Sequence, residues 1–483
     1  MDISEYKKRF IEFLLKTGAL KVGGDFSLKS RRISPWFVNI GAFSDGESTT
    51  VMGDFYADTL LSSGVNFDLV YGIPEKGNAL AVATAQALAR KGKNVPWFFT
   101  RKTPKEYGEA TNLSPADRIK SLVVGRAPES GQAIAQLDDV FTTGDAKYEA
   151  RNVLQSLGKF ELPLLAIAVD RQEVGIDGRS AIQEYEEKTG TKVIAGLSAL
   201  DVYSFLMQAV PLDTPNGKVT KGDVERIATY LRVYGTDRAR KQFVKLEPRI
   251  IQRDRSVIPA CDVSTIEEFE ELVKQTCDVD GIGGYKIGFE LGLGYGLERV
   301  VEAARKHTKK PIIYDHQKAG TDIPDTGKNF AKVCKKAGVD AVILFPQAGP
   351  ETERAWIYHA LDYGLKVIVG GRMTHPAYSV SEGGFITDGG ALEMYRIAAR
   401  AGVTDFVVPG NKPDVIKEVS EAVEAEGAKL ARVFYAPGFV SQGGKIEEGA
   451  KAAGNRFHAI VGRGIYQAPD KKAAALEHCS QLG

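Results

Sequence analysis

Two α/β domains in tandem, an open parallel sheet followed by a closed (β/α)8 barrel, are predicted by three observations. The chain has 483 residues, more than one ordinary core organises. Its second half repeats a short apolar run eight times, with helical patterns between the runs. Its first half alternates strands and helices less regularly and carries long polar loops where strands end.

Hydrophobic residues make up 43% and charged residues 26%, the balance of a soluble globular protein. Lys and Arg number 63 against 62 Asp and Glu, a net charge of +1. That lacks the basic excess of a protein that binds nucleic-acid polymers. No apolar run approaches the roughly 20 residues that span a bilayer. The opening MDISEYKKRF reads as a charged amphipathic helix, without the apolar centre of a signal peptide. A cytoplasmic protein with no membrane partner is expected. Cys261, Cys277, Cys334 and Cys479 form no CxxC pair, which argues against a disulfide framework or a zinc site. The first half holds neither His nor Cys, so its chemistry rests on carboxylates, lysines, backbone amides or a bound metal ion.

Three strand-loop-helix units stand out in the first half. DLVYG leads through IPEKGN into ALAVATAQALA, VPWFFT leads into RKTPKEYGEATN, and AIAQLDDV leads through FTTGD into a helix with apolar positions at Ala146, Ala150, Val153, Leu154 and Leu157. That spacing is a core-facing helical stripe. Parallel α/β sheets place ligands beyond the carboxyl ends of their strands, where all three loops would lie. The segment Val210 to Asp223, VPLDTPNGKVTKGD, has two prolines, two glycines and no apolar periodicity. It reads as a linker, giving domains at residues 1–212 and 213–483. A polar helix is expected from about Val224 to Tyr234.

Beyond it, SVIPACDV, GYKIG, PIIYDH, AVILFP, KVIVGG, DFVVPG, ARVFYAPG and HAIVGRGI start at Ser256, Gly284, Pro311, Ala341, Lys366, Asp405, Ala431 and His458. Near-continuous apolar strands fit a parallel sheet buried on both faces. Eight of them alternating with helices are the pattern of a TIM barrel, whereas a doubly wound open sheet does not call for eight.

The strongest local signal in the first half is LDDVFTTGD, Leu137 to Asp145. An acidic pair ends an apolar strand and a Thr-Thr-Gly-Asp loop opens a helix. Small residues at a helix N-terminus let backbone N–H groups face a phosphate. Asp138 and Asp139 have the wrong charge for that and suit ribose hydroxyls or Mg2+. A sugar phosphate answers both. The run RKTPKEYG puts Arg101, Lys102 and Lys105 on one loop, cations that repel unless an anion joins them. A departing pyrophosphate is such an anion, and clamping it as charge develops is electrostatic catalysis.

These residues resemble the type I phosphoribosyltransferases, whose signature for 5-phosphoribosyl 1-diphosphate (PRPP) is two acids followed by a Thr-Gly loop. Many members carry an apolar residue where Gln136 stands. The resemblance implies that Thr142, Thr143, Gly144, Asp145 and Ala146 hold the 5′-phosphate, that Asp138 and Asp139 face the ribose, and that Mg2+ arrives mainly with PRPP. The loop RKTPKEYG is similar to the catalytic loop of orotate phosphoribosyltransferases, implying roles for Arg101, Lys102 and Lys105. FSLKSRRISPWFVN resembles that family's N-terminal run, with Arg31 where a glycine is usual. It implies Lys29 near the phosphates and Phe37 against the base. Lys76 in GIPEKGN matches a pyrophosphate-loop lysine, and Arg171 would pair with the orotate carboxylate, which a planar guanidinium suits.

In the barrel, strand ends supply Asp262, Lys286, Asp315, Lys318, Asp322 and Thr374, and active sites of this fold lie at those ends. GFVSQGGK and GRG follow strands seven and eight, the usual phosphate loops of the fold, and contain Gln442, Gly443 and Arg463. Interleaved Asp and Lys form a lattice in which opposite charges 4 Å apart gain roughly 4 kcal/mol. Such a lattice destabilises a substrate carboxylate and stabilises the carbanion its loss would leave, which describes decarboxylation without a cofactor. The half resembles orotidine 5′-monophosphate (OMP) decarboxylase along the whole barrel. The usual D-x-K-x-x-D-I core reads DHQKAGTDIPDT here, with one extra residue before Lys318 and one after it. The resemblance implies that Lys318 donates the proton, Asp315 faces the substrate carboxylate, Lys286 holds the network, and Asp322 crosses a homodimer interface. Asp262 would bind ribose, Thr374 the pyrimidine, and Gln442, Gly443 and Arg463 the phosphate.

Together the two resemblances imply orotate, PRPP and OMP as small-molecule substrates, Mg2+ for the first reaction and no cofactor for the second. Two alternatives compete. The first domain could be a PRPP sensor without catalysis, or the barrel a Mg2+-dependent sugar-phosphate decarboxylase or synthase. Those relatives carry a strand-two glutamate where Lys286 stands. Lys318→Ala is expected to abolish decarboxylation and spare OMP formation, and Lys105→Ala or Asp139→Ala to do the reverse. Separate assays of OMP and UMP check this, and loss of both activities in a folded variant would break the two-site model.

Overall fold

The computed structural model describes residues 4–28, 30, 32–101, 121–141, 144–175, 178–243, 249–316, 319–428, 432–440 and 443–482. It divides into two compact units. The first comprises Met1–Phe26, Ser34–Leu231 and Gly235–Ala239, and the second comprises Ser27–Ile33, Arg232–Tyr234 and Arg240–Gly483. Among the described residues, no helix is long and apolar enough to cross a membrane.

In the first unit, β1 (Leu20–Ser27) and β2 (Ile33–Val38) form a two-stranded sheet. A six-stranded sheet contains β3 (Leu69–Gly72), β4 (Trp97–Thr100), β5 (Val123–Gly125), β6 (Ala133–Val140), β7 (Glu161–Asp170) and β8 (Lys192–Ser198), in the order β5-β4-β3-β6-β7-β8. Every pair is parallel except β4–β5. That short antiparallel edge is the one departure from the all-parallel sheet, and open α/β sheets commonly carry one. Central strands are apolar on both faces because helices cover both. Leu164 to Val169 on β7 are all fully buried. The ends of β4, β3, β6 and β7 therefore lie side by side along one edge of the sheet.

The helix Asp145–Leu157 follows β6. Its buried residues are Lys147, Ala150 and Leu154, whereas Ala146, expected on the stripe, is exposed. The stripe is rotated because Lys147 turns inward to a carboxylate. The segment read as a linker folds as a hairpin, β9 (Leu212–Thr214) against β10 (Gly217–Val219). Pro215-Asn216 forms its two-residue turn, and Gly217 follows at φ +115°, a conformation that favours glycine. The next helix, Lys221–Tyr234, starts at a capping box of Thr220 and Asp223.

All eight expected strands of the second half form and close in sequence order. They are β11 (Arg255–Cys261), β12 (Tyr285–Ile287), β13 (Ile312–Asp315), β14 (Ala341–Leu344), β15 (Lys366–Gly370), β16 (Asp405–Val407), β17 (Val433–Ala436) and β18 (Phe457–Val461). Each pairs in parallel with the next, and β11 pairs with β18. Ile258, Ile313, Ile343, Ile368, Val407 and Ile460 pack together in the core.

Near the starts of the strands, Ser256 Oγ lies 2.7 Å from His458 Nδ1, and the Asp405 carboxylate accepts hydrogen bonds from Thr404 and Tyr435. Burial, reinforced by Arg249 and Arg253, pushes the His458 imidazole down to about 3. Burial pushes Asp405 up to about 6. As pH falls below about 6.5 the unfolded chain protonates its histidine first, so His458 costs stability at up to about 1.4 kcal/mol per pH unit. Asp405 acts oppositely, because the folded state binds its proton first. Urea unfolding at pH 7 and pH 5 should show His458→Asn losing less stability on acidification than wild type. Equal losses would contradict a buried neutral imidazole.

Candidate active sites

The acidic pair ends β6. Both residues are buried, Asp138 at 6% and Asp139 at 7% exposure. Every carboxylate oxygen of the pair already has a partner in the chain. Asp138 Oδ1 accepts from Asp139 N at 2.8 Å, and Oδ2 pairs with Lys147 Nζ at 2.5 Å. Asp139 Oδ1 accepts from Val140 N at 2.8 Å, and Oδ2 pairs with Lys76 Nζ at 2.5 Å. Burial raises the Asp138 carboxyl from its ordinary value, and the Lys147 ammonium works against that rise. Lys147 Nζ also donates to Val140 O at 2.7 Å. Tyr56 anchors the strand end through its hydroxyl on Asp138 O at 2.6 Å.

Gly144 caps the following helix at φ +86°, where a Cβ would meet the Phe141 ring at 3.1 Å. Asp145 and Ala146 are exposed in its first turn. Thr142 and Thr143 lie outside the described residues, as do Lys29, Lys102 and Lys105. Lys76, on the loop after β3, reaches across to Asp139 of β6. Arg101 is exposed just past β4, its backbone N–H on Leu122 O. The structure therefore brings Lys76, Asp138 and Asp139 together, with Lys147 added.

Arg171 follows β7 and is 8% exposed. Its Nε and Nη2 share Glu173 Oε1 at 2.8 and 2.7 Å, Nη2 also donates to Ser34 Oγ, Nη1 points at Trp36 O, and the guanidinium stacks on the Trp36 ring at 4.2 Å. Most of its five donors are thus engaged within the chain. Phe37 is half-buried, its ring 5.9 Å from that of Phe26.

The barrel has a cavity of about 310 Å3 at the carboxyl ends of its strands, lined by Asp262, Lys286, Asp315, Arg372, Thr374 and Arg463 among others. Lys286 Nζ lies 3.1 Å from Asp315 Oδ2 and 3.6 Å from Asp262 Oδ1. Lys286 and Asp315 are 7% and 6% exposed. Burial alone would lower the lysine, but Asp315 and Asp262 more than offset it and hold the ammonium above its ordinary value. At 3.1 Å the pair attraction is about 5 kcal/mol at an effective dielectric of 20. Asp322 is exposed beyond β13 and does not line the cavity. Its Oδ1 accepts from Ile323 N, and its backbone carbonyl accepts from Thr352. Gly443 follows β17 outside the lining residues, and Lys318 and Gln442 lie outside the described residues.

Two residues escaped the sequence reading. Lys147 had a signal, a lysine two positions into a helix that follows two acids. Arg372 had none beyond its place next to Thr374.

A family model described as "Orotidine 5'-phosphate decarboxylase / HUMPS family" matches residues 255–478. The N-terminal region is similar to the orotate phosphoribosyltransferase of Cronobacter sakazakii, 40% identical over 204 residues that span 42% of this chain and 89% of that protein. It is likewise 41% identical to the orotate phosphoribosyltransferase of Thioalkalivibrio sulfidiphilus over 209 residues, 43% of this chain and 92% of that one. The chain belongs to the orotate phosphoribosyltransferase family. It joins that transferase to an OMP decarboxylase domain, two enzymes of pyrimidine biosynthesis in one polypeptide.

Lys147→Met leaves the buried Asp138 carboxylate without its cation, and breaking a buried pair costs roughly 3–5 kcal/mol. The transferase domain should lose roughly that much folding stability in urea unfolding and its activity should fall with it, while decarboxylation of added OMP stays within twofold. Parallel assays of the two activities check this.

Proposed function

We propose that the chain converts orotate to UMP in two steps. In the first, orotate N1 gives up its proton to solvent and bonds to C1′ of PRPP as the bond from C1′ to pyrophosphate breaks. Asp138 and Asp139 face the ribose hydroxyls. Thr142, Thr143, Gly144, Asp145 and Ala146 cradle the 5′-phosphate at the helix N-terminus. Arg101, Lys102 and Lys105, with Lys29 and Lys76, meet the pyrophosphate as its charge develops. Phe37 lies against the base, and Arg171 takes the orotate carboxylate through the donors its internal partners leave.

The oxygen donors of Asp138 and Asp139 suit Mg2+, but Lys147 and Lys76 already neutralise them. The ion is therefore best carried by the diphosphate of PRPP, where it would screen the departing charge. The acids meet the sugar rather than supplying the main coordination.

In the second step the bond from C6 to the carboxylate of OMP breaks, CO2 leaves, and Lys318 delivers a proton to C6. Asp315 places negative charge beside the substrate carboxylate, and Lys286 holds Asp315 in position. Asp262 binds ribose, Thr374 the pyrimidine, and Gln442, Gly443 and Arg463 the phosphate, whose binding energy supports the distant reaction centre. Asp322 serves the cavity of a second copy in a homodimer, a reading supported by its exposure and its absence from its own cavity lining. The enzyme would work in the cytoplasm on small molecules.

The observation that carries the decarboxylase reading is the contact of the buried Lys286 with the buried Asp315 and the exposed Asp262 in a cavity that also holds Arg463. A lysine in that lattice favours chemistry without a metal. Incubating the full chain with orotate, PRPP and Mg2+ should give pyrophosphate, OMP and then UMP. Added OMP should be decarboxylated equally well in EDTA. PRPP binding without pyrophosphate release would make the first domain a sensor, and loss of decarboxylation on chelation would overturn the metal-free step.

A further inference from the structure

We propose that Arg372 is a positioning residue for decarboxylation, one that fixes the cavity-facing segment after β15 so that Thr374 meets the pyrimidine in a single geometry. The inference rests on the barrel being an OMP decarboxylase. Arg372 lies two residues past β15 and, with Met373, Thr374 and His375, lines the cavity. It is 8% exposed. Its backbone N–H donates to Tyr395 Oη at 3.1 Å, and that hydroxyl donates to Val407 O at 2.7 Å, which fixes the segment to the end of β16.

The guanidinium holds the other side of the loop. Nη1 donates to Ser379 Oγ at 2.6 Å and to Asp388 Oδ1 at 2.7 Å, and Nη2 donates to Glu418 Oε2 at 3.2 Å. Asp388 is held in turn by the hydroxyl and the backbone N–H of Ser381. One buried side chain thus joins the strand end, the returning arm of its loop and the helix Pro413–Val423. Between these arms the chain runs out to Phe385, 98% exposed. Other ties of the segment include Asn411 Nδ2 on Thr374 O at 3.1 Å, Gln347 Nε2 on Tyr378 Oη at 3.2 Å, and Lys412, which donates to His375 O and pairs with Glu382 at the surface.

A planar fork gives each hydrogen bond a fixed direction, whereas a lysine supplies only a point charge. Arg372 Nε is buried without a hydrogen-bond partner. An unmade buried bond is a cost that stability alone does not explain. The partners of Arg372 lie on the loop after strand five and on the helices that follow strands five and six, and the segment they hold lines the cavity.

The test is Arg372→Met in the full-length chain. Displacing groups about the substrate by an ångström can cost about a hundredfold, so kcat for added OMP should fall roughly tenfold to a hundredfold while KM moves less than about threefold. Orotate phosphoribosyl transfer by the same preparation should be unchanged, and Arg372→Lys should restore part of kcat. Unchanged kcat, or a loss carried by KM alone, would overturn the proposal. Should both activities drop in Arg372→Met, Ser379→Ala decides, because it removes one bond and no charge. A several-fold loss of kcat with normal transfer supports the proposal, and an unchanged kcat overturns it. A wild-type chain that forms OMP but cannot decarboxylate it would refute the reading of the barrel instead.

Discussion

A lysine ammonium and an aspartate carboxylate, both taken out of water at the carboxyl ends of barrel strands, constrain everything built around them. Neither Lys286 nor Asp315 could be buried alone, because desolvating a lone charge costs several kcal/mol. Each is tolerated because the other stands 3.1 Å away. The partners come from adjacent strands, β12 and β13, whose register sets Ile287 beside Tyr314. Parallel pairing therefore fixes the spacing of the charges. A rigid barrel is what holds that charge pair in place at the carboxyl ends of the strands.

The first unit solves a similar problem. Asp138 and Asp139 end a strand buried on both faces, and each is balanced by a lysine from a different element, Lys147 from the following helix and Lys76 from the loop after β3. The balance limits what the acids do. With their charge met by two lysines, each of their carboxylate oxygens already has a partner within the chain. The two units share a design in which ionised groups are buried in pairs at the strand ends.

Much of this was legible from residues alone. The eight barrel strands were readable because a parallel strand covered on both faces must be apolar at nearly every position, a pattern that short polar interruptions bound clearly. The acids of LDDVFTTGD and the lysine of GYKIG were readable because charge at the end of an apolar strand has few structural uses. The hairpin at Leu212 to Val219 was missed because its strands are three residues long and half polar, leaving only Asn216-Gly217 as a signal. The inward turn of Lys147 was missed for a different reason. A lysine on a helix reads as solvated unless its buried partner is known, and that partner is nine residues back on another element.

What the sequence determined by itself was the order and kind of the elements and the chemistry available at their ends, because periodicity, turn residues and strand-end charges are local properties. What only the tertiary structure decided was which charges meet. It paired Lys286 with Asp315 and Asp262, Asp138 with Lys147 and Asp139 with Lys76. It closed Glu173 and Ser34 around Arg171, and it made Arg372 the tie between β15 and its loop. Those are contacts between elements, and their distances follow from how strands register and helices pack, which no single stretch of residues specifies.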